Sequence, residues 1–274
     1  MQLELLTYPA KTTPGAYPPL LFVHGAWHGA WCWDVHFLPY FAEQGFDVYA
    51  LSLRAHGKSE GAPHVFGKRI RDYVADVADV AASLPTPPII IAHSMGGHVA
   101  QKYLERNDAT AAVLLASVPP SGTLATSLRI AARHPGPFAL ANLTLRLWPI
   151  IATPALARDA FFSKTLPDDE MQTYYGLLQD ESYIAYLDMM ALNLPRPQRV
   201  LAHKRLPMLV MGGADDRIFT PAEVTQTAHA YGVTAQIFPN MAHDMMLDPG
   251  WQDVADAIIT WLRAEPWQSS QTSG

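Results

Sequence analysis

The sequence predicts an α/β fold, with a mostly parallel sheet covered by helices on both faces and one helical insertion. Three observations predict it. The runs Leu20–Val23, Val48–Leu51, Ile89–Ile91, Val113–Leu115, Met208–Met211 and Gln236–Phe238 are mostly continuous apolar stretches, as strands buried on both faces require. Helical patterns stand between them, so strand alternates with helix. The rhythm breaks only between about Pro119 and Leu206, where short helical pieces rich in Leu, Met, Phe, Tyr and Trp are separated by prolines.

In chain order, the first strand Leu20–Val23 leads into a glycine-punctuated loop, and a helical pattern runs from Val35 to Gln44. The strand Val48–Leu51 is followed by a helix from Ile70 to Ser83. Ile89–Ile91 meets Ala92-His93-Ser94-Met95-Gly96-Gly97, after which Met95, Val99 and Tyr103 recur at helical spacing opposite Gln101, Lys102, Glu105 and Arg106. Val113–Leu115 precedes the break. Alternation resumes with Met208–Met211, a helix from Ala222 to Tyr231, the strand Gln236–Phe238, and a last helix with Val254, Ile258, Trp261 and Leu262 on one face. Residues 1–118 and 207–265 are therefore expected to form one core, residues 119–206 an inserted cap, and residues 266–274 a disordered tail.

The 274 residues are 49% hydrophobic and 16% charged, enough for one large core. A net charge of −6 and the lack of a block of consecutive basic residues exclude a nucleic-acid-binding composition. The single cysteine, Cys32, excludes an internal disulfide and a multi-cysteine metal site, and reads as a small buried hydrophobe. Residues 1–8 have neither a basic start nor a long apolar run, so a cytoplasmic protein is expected. In the least charged stretch, residues 137–157, Arg146, Pro149 and Pro154 interrupt any spanning helix, so stable membrane insertion is not expected.

The segment at Ser94 carries the chemistry. A serine on a tight strand-to-helix turn needs small residues two positions away on either side, and Ala92 and Gly96 supply them. Alone, the pentapeptide also reads as a helix N-cap. Serine nucleophilic catalysis further demands an imidazole to take the hydroxyl proton and a carboxylate to fix the imidazole tautomer. His243 follows the strand Gln236–Phe238, and Asp215 and Asp216 follow the strand Met208–Met211. Either aspartate fits that position, at the carboxyl edge of the sheet. His93 is a poorer base, because its side chain leaves the turn in another direction. The loop His24-Gly25-Ala26-Trp27-His28-Gly29 can aim a backbone N–H at an oxyanion, which assigns the Ala26 and Met95 N–H groups. It lacks the lysine of a phosphate-binding loop, and His24 and His28 have no acidic or sulfur neighbour in sequence that would complete a zinc set.

With Ser94, Asp216 and His243 in that order, the chain resembles the α/β-hydrolase family over nearly all its length. His24-Gly25-Ala26-Trp27, Arg54-Ala55-His56-Gly57-Lys58-Ser59, His93-Ser94-Met95-Gly96-Gly97 and His243 look like the esterase and lysophospholipase-like members with a helical cap. The usual first glycine of the elbow is Ala92 here. The resemblance implies Ser94 as nucleophile, Asp216 as acid and His243 as base. It also implies an eight-stranded, mostly parallel sheet with the cap after the sixth strand, and no cofactor or metal.

A serine rather than an aspartate at the elbow disfavours dehalogenase and epoxide hydrolase chemistry. Hydrolysis of small or medium apolar carboxylic esters leads, with Trp27, His93, Trp148 and Met189 as candidate substrate-binding residues. The triad leaves open C–C bond, lactone and amide hydrolysis, peracid formation, acyl transfer and lyase chemistry. A catalytically silent ligand-binding protein is the reading from another class. Oligomeric state is left open.

Overall fold

The computed structural model describes residues 1–12, 14–62, 64–203, 206–265 and 267. The expected disordered tail, apart from residue 267, lies outside them. The strands are β1 (Leu5–Tyr8), β2 (Leu20–Val23), β3 (Val48–Leu51), β4 (Ile89–His93), β5 (Ala111–Leu115), β6 (Met208–Gly213) and β7 (Ala235–Phe238). They form one sheet in the order β1-β3-β2-β4-β5-β6-β7, antiparallel only between β1 and β3. Every residue of β2, β4 and β5 is buried. Because successive side chains point to opposite faces, that burial requires cover on both sides and explains why these strands read as unbroken apolar runs.

The resemblance implied eight strands, and the described residues form seven. Ahead of β2 the chain makes a single edge strand, and Pro9, Pro14, Pro18 and Pro19 then remove the donors a second strand would need. For the same reason the long helical excursion follows the fifth strand rather than the sixth. Strand β1 has no apolar run, because Leu5 and Thr7 face solvent and only Leu6 and Tyr8 turn inward.

The helices of the core are α1 (Trp31–Asp34), α2 (Phe37–Glu43), α3 (Ile70–Ser83) and α4 (Met95–Leu104). Between β5 and β6 come α5 (Leu124–Arg133), α6 (Pro135–Thr144), α7 (Pro154–Phe161), α8 (Asp168–Tyr175), α9 (Tyr183–Leu187) and α10 (Pro197–His203), with a 3₁₀ turn at Trp148–Ile150 and a π turn at Asp188–Leu192. No strand occurs there among the described residues. The core then closes with α11 (Pro221–Ala230) and α12 (Trp251–Ala264). The expected helix from Val35 to Gln44 is α2, which begins only at Phe37; His36 is outside helical geometry and separates it from the short α1 that precedes the expected span. No helix of the described residues is long and apolar enough to cross a membrane.

Strand order reverses beside β2, since β3 lies on one side of it and β4 on the other. At such a switch point the loops leaving the carboxyl ends diverge and open a crevice. The loops after β2, β4, β6 and β7 carry Ala26, Ser94, Asp216 and His243.

Candidate active site

Ser94 joins β4 to α4 with φ 53° and ψ −118°, a left-handed backbone that an L-residue adopts only when its surroundings hold it there. The Ser94 N–H donates to Leu115 O at 3.0 Å and its carbonyl accepts from Val118 N–H at 3.2 Å, which anchors the turn to β5 and its exit. The crossing is tight. A Cβ on Gly96 would lie 2.4 Å from Val23 O, and one on Gly97 2.2 Å from Ser117 Oγ. Ser94 is not an N-cap in its side chain, because its hydroxyl makes no capping hydrogen bond to α4.

The hydroxyl faces His243 instead, with Ser94 Oγ 3.0 Å from His243 Nε2. On the other side of the ring, Nδ1–H donates to Asp216 Oδ2 at 2.8 Å. Asp216 is held in turn, its Oδ1 accepting from Ile218 N–H at 2.7 Å and Phe219 N–H at 3.0 Å. Asp215 is exposed, and its backbone N–H goes to Met241 O. Of the two aspartates that the sequence left open, only Asp216 meets the imidazole. Burial alone would push the His243 pKa down, but the carboxylate and hydrogen bond of Asp216, aided by Asp244, hold it above its ordinary value. A base of this kind can accept the serine proton and retain the tautomer needed to do so.

The loop after β2 lies against this line. A Cβ on Gly25 would sit 3.0 Å from Ser94 Cβ and 2.8 Å from His93 Nδ1, so only glycine lets the chain pass. Ala26 follows, and Met95 opens α4, where first-turn N–H groups have no intrahelical acceptor. His93 Nε2–H donates to His243 O at 3.0 Å, so this nitrogen is engaged by the backbone of the His243 loop. Burial and the neighbouring His243 push its pKa down to about 3, so it stays neutral.

Behind Ser94, His243 and Asp216 lies a pair that sequence reasoning missed. His28 Nδ1 lies 2.7 Å from Ala26 O and Nε2 2.9 Å from Asp244 Oδ2, both at hydrogen-bond distance, tying the Ala26 loop to the loop of His243. His28 and Asp244 stand 216 positions apart, and no local spacing could have linked them. Phe161 and Phe219 pack on the His243 ring at centroid distances of 6.1 Å and 5.6 Å, and Phe161 also meets Trp27 at 5.5 Å. Trp27 also borders a narrow apolar cavity with Ile130, Phe138, Leu147, Ile150 and Tyr186. Trp148 and Met189 are placed differently. Trp148 packs on Tyr175, and Met189 O accepts from Thr123 N–H, so neither is brought to Ser94 by the contacts described.

His93, His243 and Asp244 bring ligand-type atoms within 4.8 Å of one another. Both nitrogens of His243 are engaged by Ser94 and Asp216, and His93 Nε2 by a carbonyl, whereas His93 Nδ1 and Asp244 Oδ1 are buried without a hydrogen-bond partner among the described residues.

Comparison with known proteins agrees with this architecture. A family model described as the alpha/beta hydrolase family matches residues 20–257. A monoacylglycerol lipase of Mycolicibacterium smegmatis is 26% identical over 244 residues, covering 83% of this chain and 81% of that protein. The solved structure of the Paleococcus ferrophilus monoacylglycerol lipase superposes with a TM-score of 0.68 at 19% identity, over 96% of this chain and 98% of the other. A Rhodococcus esterase gives 0.71 at 18%, over 96% and 94%. At such identities the structural likeness speaks for the fold alone, while the family model spans most of the chain: it belongs to the alpha/beta hydrolase family.

Proposed function

We propose that this chain hydrolyses carboxylic esters of small or medium apolar substrates through an acyl-enzyme on Ser94. The observation that carries the reading is the continuous relay from Ser94 Oγ through both His243 nitrogens to Asp216, at 3.0 Å and 2.8 Å. In the first half-reaction Ser94 Oγ attacks the ester carbonyl while its proton passes to His243 Nε2. The carbonyl oxygen becomes an oxyanion facing the Ala26 and Met95 N–H groups. The C–O bond to the alcohol then breaks and the alcohol leaves with the proton from Nε2. In the second half, water gives a proton to Nε2, attacks the acyl carbon and releases the acid, restoring Ser94.

Residues 119–206 are read as a cap that selects the substrate. The apolar cavity between Trp27 and helices α5 and α6 supports an apolar acyl or alcohol group, and so does the monoacylglycerol lipase among the relatives. His93 borders His243 directly and Trp27 reaches it through Phe161, whereas Trp148 and Met189 would act only by shaping the cap. Labelling by a fluorophosphonate, located at Ser94 by peptide mass, together with turnover of short p-nitrophenyl esters, tests the reading. An unlabelled Ser94 in folded protein overturns it.

A further inference from the structure

The chain carries a net charge of −6 and 19 lysines and arginines, and six of those cations line a single cavity of about 540 Å³. They are Arg69, Arg71, Lys102, Arg106, Arg196 and Arg199, and they come from the start of α3, the end of α4 and the segment running into α10. The carboxylates of the cavity are Glu105 and Asp188, so its lining has a surplus of four positive charges. Neither carboxylate is free to neutralise the rest. Asp188 is gripped by Arg69 through two bonds of 2.6 Å and 3.2 Å and by Ile70 N–H. Glu105 accepts from Lys102 Nζ at 2.8 Å and from Arg196 N–H at 2.9 Å, with an Arg199 nitrogen at 3.4 Å.

The remaining guanidinium groups lack such company. Arg71 reaches only Asp72, at 3.9 Å, and the Arg106 and Arg196 side chains have no carboxylate partner among the described residues. Gathering like charges in a concave surface raises the local potential, because the low-dielectric walls concentrate the field. Such a cleft attracts a ligand that brings the missing negative charge. A guanidinium fork matches a carboxylate or a phosphate two oxygens at a time, and a group with two phosphates offers enough oxygens to engage several forks at once.

We infer that this cavity binds an anion bearing two or more phosphate groups. The site lies at the far end of α4 from Ser94, so it is separate from the ester-hydrolysing centre and stands whether or not that reading holds. Two ligands share this chemistry, a free polyphosphate group and a polyphosphorylated lipid headgroup, and both can be tested.

Inorganic pyrophosphate titrated calorimetrically into the full chain at about 150 mM salt, where long-range attraction is largely screened, should saturate one site. Replacing two exposed cations without carboxylate hydrogen bonds, R71E together with R196E, should weaken it by roughly tenfold or more. Any p-nitrophenyl ester turnover, or failing that the thermal transition, should be unchanged in that variant. Saturable pyrophosphate binding assigns a free ligand. Retention on phosphatidylcholine vesicles containing phosphatidylinositol bisphosphate, lost in the variant and without a pyrophosphate isotherm, assigns a headgroup. Binding equal in the variant and the parent, or no binding of either probe, overturns the site.

Discussion

His243 Nε2 lies 3.0 Å from Ser94 Oγ, although the two residues stand 149 positions apart. Parallel strands β4 and β7 deliver both to the same edge of the sheet, and neither residue belongs to a strand of the core. Ser94→Ala and His243→Ala should each lower ester turnover by roughly three orders of magnitude or more. The circular dichroism and thermal transition should remain close to those of the parent. Near-parental turnover by purified Ser94→Ala protein would remove Ser94 as nucleophile.

Asp216 and Asp215 are adjacent in sequence and opposite in setting, one buried on His243 and the other exposed. Asp216→Asn should cost roughly four orders of magnitude in kcat, since an amide no longer fixes the Nδ1–H tautomer. Asp215→Asn should leave the rate within a factor of about two. The pH profile gives a second readout. Because His243 holds its proton above the ordinary value, kcat/KM should fall as pH drops through a limb lying above about 6.5. Residual activity of Asp216→Asn should show that limb displaced to lower pH. Loss of rate confined to Asp215→Asn would contradict the relay.

The elbow was legible because its constraints are local. A run of β-branched residues, small neighbours and helical spacing all fall within Ile89–Tyr103, and β4, Ser94 and α4 occupy that span. The order of the other catalytic candidates was legible because each follows a strand that reads as one. Pairings across the fold were not legible. His28–Asp244 and His56–Glu181 join residues 216 and 125 positions apart, brought together only by sheet order and the helical excursion. Edge strand β1 escaped for another reason, since half-exposed alternation over so short a stretch is shared by many loops.

Gly96 and Ala92 flank Ser94 at equal distance, but their tolerance should differ. A methyl group on Gly96 would enter the carbonyls of Val23 and His24 at 2.4 Å and 2.5 Å, and neither is a flexible side-chain end. Gly96→Ala should therefore destabilise by roughly 3 kcal/mol or prevent folding. Where it folds, it should displace the loop of Ala26 and lower kcat. Ala92→Gly removes only a buried methyl from the end of a strand and should cost about 1 kcal/mol. Urea midpoints of the two variants check the contrast, and equal midpoints would show that the crossing is less tight than its geometry.

His98 lies on the inner side of α4, fully buried, with Nε2–H donating to Asn193 O at 2.9 Å. Burial pushes its pKa from 6.5 down to about 4, against the weaker upward pull of the Asn193 carbonyl. The sign of the linkage follows. Above pH 6.5 the ring is neutral in both folded and unfolded chains and contributes no pH dependence. Below it the unfolded chain binds a proton that the folded chain refuses, so stability falls with pH and levels off near pH 4. The loss over that window is about 3 kcal/mol, at about 1.4 kcal/mol per pH unit. His98→Gln keeps a donor for Asn193 O and removes the titration. Urea unfolding at intervals across the window should therefore give a shallower acid decline for His98→Gln than for the parent. Parallel declines would mean that His98 is protonated in the folded chain and that other groups govern its acid sensitivity.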